Sequence, residues 1–153
     1  MRVSEFLSVQ AVVPELEARS KPDVLKELAA ALAKGSPQVS AERFARVLEE
    51  REKLVSTGME KGVAIPHGRL AELTGLAACF GVAHDGIDFD ALDGKPSHFF
   101  FALVAPENSA GLHLKALSKI NRIFRSDALR EQLLQAKTAE QIHALIAEED
   151  ARA

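Results

Sequence analysis

Ser56-Thr57-Gly58-Met59-Glu60-Lys61-Gly62-Val63-Ala64-Ile65-Pro66-His67-Gly68 is the stretch on which the fold turns. Its glycines break the helical pattern that precedes it. Val63-Ala64-Ile65 is a short apolar run, and Pro66 ends it because proline has no N–H to give a sheet ladder. His67 then stands at a rigid strand end, and Gly68 leaves room beside it for a phosphate or a second protein. Ligand sites of open α/β sheets lie beyond strand carboxyl ends, which marks His67 as a candidate.

Toward the amino terminus the pattern is helical. Ser20, with Pro22 and Asp23 behind it, opens a stretch in which Val24, Leu25, Leu28, Ala29 and Leu32 recur at helical spacing. Gly35-Ser36-Pro37 stops it. Ser40 opens a second helix on Phe44, Val47 and Leu48, with Leu54 beyond. Toward the carboxyl terminus, Leu76–Val82 and Phe99–Val104 are unbroken apolar runs, as strands buried on both faces tend to be. Ile87 and Phe89 alternate with acids and suggest a connecting ribbon that turns at Asp93-Gly94-Lys95-Pro96. Three helices close the chain. Asn108 or Ser109 caps the first through about Arg125, Ser126 caps one through about Ala136, and Thr138 opens the last with Gln141 at capping-box spacing. The expected class is α/β (α+β), a mixed sheet flanked by helices, in one domain over residues 1–153.

Composition removes several functions. The apolar fraction of 47% and charged fraction of 27% are ordinary for a globular chain. A formal net charge of −3 gives no footprint for a nucleic-acid backbone. No run approaches the ~20 apolar residues of a membrane span, and the amino terminus lacks a signal-peptide stretch. Cys79 is the single cysteine and lies in an apolar run, so it reads as a small buried thiol in a reducing compartment. A cytoplasmic location is expected. The histidines and cysteine show no metal-ligand spacing, and neither a phosphate-cradling glycine loop nor a hydrolase nucleophile elbow is present. Asp85, Asp88 and Asp90 read as turn and ribbon residues rather than a calcium loop.

Among His67, His84, His98, His113 and His143, two depart from the structural or solvated role most histidines have. His67 does so by its place behind the strand. His113 shares a helix face with Leu117, Ile120 and Phe124, so it points inward from a first turn, where free N–H groups favour an anion. It reads either as a core histidine satisfied by a carbonyl or as a group that steadies a phosphate. The opposite face, Lys115, Lys119, Arg122 and Arg125, is a solvated stripe or a surface for an acidic partner. Arg51, at a helix end, helps the helix dipole or binds an anion.

The run from Ser56 to His67 resembles the active-site motif of enzyme IIA domains of the sugar phosphotransferase system, of the fructose/mannitol/nitrogen-regulatory type. In that family the histidine after Ala-Ile-Pro accepts a phosphoryl group, which falls on His67. A second family histidine opens a His-Leu-x-x-Leu helix, matched by His113-Leu114-Lys115-Ala116-Leu117. The family's phosphate-side arginine, sixteen residues before the acceptor, falls on Arg51. Ile87-Asp88-Phe89 and Ala91-Leu92-Asp93-Gly94-Lys95-Pro96 look like its central ribbon. Val3-Ser4-Glu5-Phe6-Leu7 with Val12-Val13-Pro14 looks like the stand-alone nitrogen-regulatory branch. Glu60 departs from the pattern, since many members carry a second glycine there.

The resemblance implies a phosphoryl carrier that is charged on His67 Nε2 by an HPr-type phosphocarrier, with His113 and Arg51 holding the phosphoryl oxygens. It implies no metal, nucleotide or other cofactor, because the donor is already activated. The downstream partner would be an enzyme IIB or a regulatory target protein. Two roles follow: a link in a phosphoryl relay, or a regulatory module whose partner affinity His67 phosphorylation toggles without onward transfer.

Overall fold

A computed structural model describes residues 1–152. Two short 3₁₀ turns, Val3–Glu5 and Val9–Ala11, lead into β1 (Val12–Val13). Helices α1 (Lys21–Gly35) and α2 (Ala41–Glu52) follow, and then four strands: β2 (Val63–Ala64), β3 (His67–Leu70), β4 (Ala77–Ile87) and β5 (Ser97–Pro106). Helices α3 (Ala110–Ile123), α4 (Asp127–Gln135) and α5 (Ala139–Arg152) complete the chain.

The serine-led starts hold. Ser20, Ser40 and Ser126 each accept a backbone N–H three residues on, from Asp23, Arg43 and Leu129. Thr138 and Gln141 exchange the two bonds of a capping box, 3.1 and 3.3 Å. α2, however, ends at Glu52, and Leu54 is 80% exposed rather than a core residue. Leu54 sits in the loop beyond the helix, where it borders the site described below.

The sheet runs β1-β4-β5-β2, with β3 also paired to β5. β4 and β5 are antiparallel, while β1 on β4 and both β2 and β3 on β5 are parallel. The sheet is therefore mixed. Side chains alternate along β5: Phe100, Ala102 and Val104 meet α1 and α2, and Phe99, Phe101 and Leu103 meet α3, α4 and α5. Both faces of the sheet are covered, which is why the strands read as unbroken apolar runs.

Two strand readings change, and one strand, β1, was not expected from the sequence. β4 continues through Ile87, past a register shift after Val82, where a ribbon was expected to begin. β1 is a two-residue edge with no periodicity of its own. β2 does end ahead of Pro66, at Ala64, but the pairing with β5 picks up again beyond it. The Pro66 carbonyl accepts the Leu103 N–H at 2.9 Å, and the ladder resumes with His67 opposite Leu103. His67 thus lies past the carboxyl end of β2 and, in the same register, opens the second half of an interrupted edge strand.

Candidate active site

That edge strand lies where the two helical layers meet. α2, from one layer, brings its last turn with Arg51. α3, from the other layer, brings its first turn with His113. A cavity of about 520 Å³ opens between them, lined by Arg51, His67, Arg69 and His113 and rimmed by Leu54 and Leu114. Gly68 makes this approach possible. A Cβ there would fall 2.4 Å from Val47 Cγ1 of α2, so the glycine fits strand to helix. The space beside Gly68 is filled by the protein itself and is not kept open for a ligand.

The His67 ring is oriented by its backbone. Nδ1 lies 2.7 Å from the Ile65 carbonyl oxygen. A carbonyl only accepts, so Nδ1 carries the proton and the neutral ring leaves Nε2 as a bare lone pair. Burial lowers the pKa of His67 below its ordinary value, and the Arg51 charge adds to that; the Ile65 hydrogen bond and Glu52 act in the opposite sense and are outweighed.

His113 is buried, and its ring meets His67 edge to face, with centroids 5.4 Å apart at 74°. Its Nε2 has no hydrogen-bond partner. Burial, then the charges of His67, Arg69 and Arg51, push its pKa down to about 4. The carbonyl-satisfied core reading therefore fails for Nε2, because that nitrogen is left unsatisfied. Ser109, which precedes α3, makes no side-chain cap hydrogen bond, unlike the serines that open α1, α2 and α4. The first-turn N–H groups of α3 are then free of any capping side chain at the end that favours anions. Arg51 is fixed from behind, donating from Nη1 to the Val55 carbonyl at 3.0 Å.

Arg69 had escaped notice in the sequence. It lies two residues beyond His67 on β3, and period-two alternation puts both on one strand face. Glu52 and Thr57, both buried, were also missed. The remaining histidines are held elsewhere. His84 meets Glu15 and the Leu134 carbonyl, His98 the Ala83 carbonyl, and His143 the Leu7 carbonyl. On the outer face of α3, Lys115 and Arg122 are exposed, and Arg125 is exposed just past the helix end at Ile123, whereas Lys119 Nζ lies 3.0 Å from buried Asp150. The solvated-stripe reading loses that one member. Asp88 accepts the Asp90 N–H within a turn, and Asp90 pairs with Lys21. Among the described residues no group of three or more His, Cys, Asp or Glu side chains gathers as a metal site.

The model of the family described as phosphoenolpyruvate-dependent sugar phosphotransferase system, EIIA 2, matches residues 5–149. The chain belongs to this EIIA family. As an EIIA domain it is a phosphotransferase component. It is 37% identical over 147 residues to a nitrogen regulatory protein of Bradyrhizobium diazoefficiens, covering 96% of this chain and 95% of that protein. A fructose-specific EIIABC component of Bacillus subtilis is 31% identical over 150 residues, but this chain spans only 24% of its length. Among solved structures, nitrogen regulatory protein IIA-Ntr of Neisseria meningitidis superposes with a TM-score of 0.87 at 35% identity, over 94% of this chain and 98% of that one. The Escherichia coli mannitol enzyme IIA, determined in complex with phosphorylated enzyme IIB, shares the fold at TM-score 0.76 and 18% identity, over 92% and 96% of the two chains. EIIA relatives thus match this chain across both helical layers and the sheet.

Proposed function

We propose that this EIIA domain, taken as one unit over residues 1–153, accepts a phosphoryl group on His67 Nε2 from the phosphohistidine of an HPr-type carrier. The observation that carries the reading is the Nδ1 contact with the Ile65 carbonyl, which leaves Nε2 bare at a cavity shared with Arg51 and His113. In the transfer, the Nε2 lone pair forms the new bond to phosphorus. The bond from phosphorus to the donor nitrogen breaks in line, and its electron pair stays with the donor ring. Such transfers ask little covalent work of the protein, so positioning and charge dominate. Arg51 offers planar donors to the phosphoryl oxygens. His113 lines the same cavity, and its unpartnered Nε2 would give the oxygens a further donor if its ring turned to them with a proton there.

The similarity to nitrogen regulatory proteins over nearly the whole chain supports a regulatory, nitrogen-type role. An enzyme IIB remains the natural acceptor in the relay reading, as the mannitol complex illustrates for its own components. Among the described residues no helix is long and apolar enough to cross a membrane, and Cys79 is a buried free thiol. Both features suit a cytoplasmic place beside such a carrier. The test is to mix the chain with purified phospho-carrier and follow the phosphoryl group between them. Movement onto this chain is expected. A chain that stays unlabelled while the carrier remains charged would end the reading.

A further inference from the structure

Arg51 and Glu52 are neighbours on the last turn of α2, yet they face opposite ways. Arg51 reaches the cavity, whereas Glu52 is 8% exposed. Its carboxylate takes both donors of one residue: the Thr57 N–H at 2.8 Å and the Thr57 hydroxyl at 2.6 Å. Thr57 in turn faces Ile65 across a tight hairpin, and its carbonyl accepts the Ile65 N–H at 3.1 Å. The Ile65 carbonyl holds His67 Nδ1 at 2.7 Å. An unbroken chain of hydrogen bonds therefore runs from a buried carboxylate to the imidazole. The Glu52 oxygen that takes the Thr57 N–H is also met by Lys21 Nζ at 2.9 Å, and the same ammonium reaches Asp90 at 3.1 Å.

This arrangement has no evident value as a simple core contact. A buried ion pair is often no more stabilising than apolar groups of its size. Its position is informative instead. The segment it pins is otherwise exposed at Lys53, Leu54 and Val55 and again at Met59, Glu60 and Lys61. Thr57, with Gly58, is buried between those two runs.

We propose that Glu52, clamped by Lys21, is a positioning residue for His67: it fixes Thr57, Thr57 fixes the Ile65 peptide, and Ile65 fixes the tautomer and aim of the ring. The proposal rests on His67 being the phosphoryl acceptor, since only there does a bare Nε2 matter. During transfer the Nδ1 proton stays on His67 against the Ile65 carbonyl, and Glu52 neither gains nor loses a proton. Its contribution is geometric. Misplacement of a reacting atom by about 1 Å can cost roughly a hundredfold in rate.

The experiment uses the full chain with ¹⁵N-labelled histidine and reads two quantities: the His67 ring shifts, which report the tautomer, and the rate of phosphoryl acceptance from purified phospho-carrier. Wild type should show the Nδ1–H tautomer alone. Glu52→Ala should show a mixture of tautomers and accept roughly tenfold to a hundredfold more slowly. Glu52→Gln offers one acceptor to the Thr57 N–H and one donor to the Thr57 oxygen, so it should rescue both readouts. Thr57→Val keeps the backbone bond but loses the hydroxyl, and should fall between Glu52→Ala and wild type. If Glu52→Ala fails to fold, Thr57→Val decides. Wild-type tautomer and rate in the folded variants would overturn the proposal. If wild type shows the single tautomer but takes up no label at His67, the acceptor reading fails and Glu52's hold on the ring is still measured.

Discussion

His67 and His113 meet edge to face with ring centroids 5.4 Å apart, on the face of the sheet that α3 covers. His67 belongs to β3, and His113 lies in the first turn of α3. Burial, with the Arg51 charge, makes His67 hard to protonate, and burial with the charges of His67, Arg69 and Arg51 does the same to His113. The pair is therefore held neutral near pH 7, with one nucleophile and one unsatisfied nitrogen beside it.

This sets a pH dependence. A lowered pKa keeps His67 a nucleophile to lower pH than a free histidine, whose pKa is about 6.5. The acid limb of the rate of acceptance should accordingly lie below 6.5. Stability follows the same sign. Between about 6.5 and 4 the unfolded chain binds a proton at residue 113 that the folded chain refuses, so stability falls as pH drops through that window. His113→Asn should flatten the melting-temperature profile there. An unchanged slope would show that other groups dominate acid unfolding.

His113→Ala and Arg51→Ala should fold and yet accept phosphoryl slowly. Removing one preorganised donor to a developing charge typically costs roughly 10²–10³ in rate. Measuring melting temperature and single-turnover rate on each variant separates the two roles. A large loss of melting temperature with normal transfer in the folded fraction would make His113 structural.

Gly68→Ala should be destabilising by about 1–3 kcal/mol, the usual cost of overpacking. The new methyl would meet Val47 Cγ1 and push α2, with Arg51, away from β3. Val47→Ala in the same chain should recover most of the loss in chemical denaturation. Failure of that recovery would show that the clash lies elsewhere.

Local chemistry accounts for what the sequence disclosed. The serine caps, the capping box at Thr138 and the apolar runs of β4 and β5 are written in residues a few positions apart. His67 and His113 stood out for the same reason. What stayed hidden depends on distant partners. The ladder past Pro66 exists because β5 supplies Leu103, and Gly68 is explained only by Val47. Glu52 looked like one more acid at a helix end, and nothing nearby in sequence announces Lys21 as its counterion. Glu60, the departure in the motif, is absorbed quietly. The left-handed turn positions are Lys61 (φ 62°) and Gly62 (φ 76°), so residue 60 needs no glycine.

The most direct measurement is intact mass with site mapping after incubation of wild type and His67→Ala with purified phospho-carrier. Wild type should gain one phosphoryl group, acid-labile and mapped to His67, and His67→Ala should gain none. Labelling that persists in His67→Ala, or a stable adduct on another residue, would contradict the account.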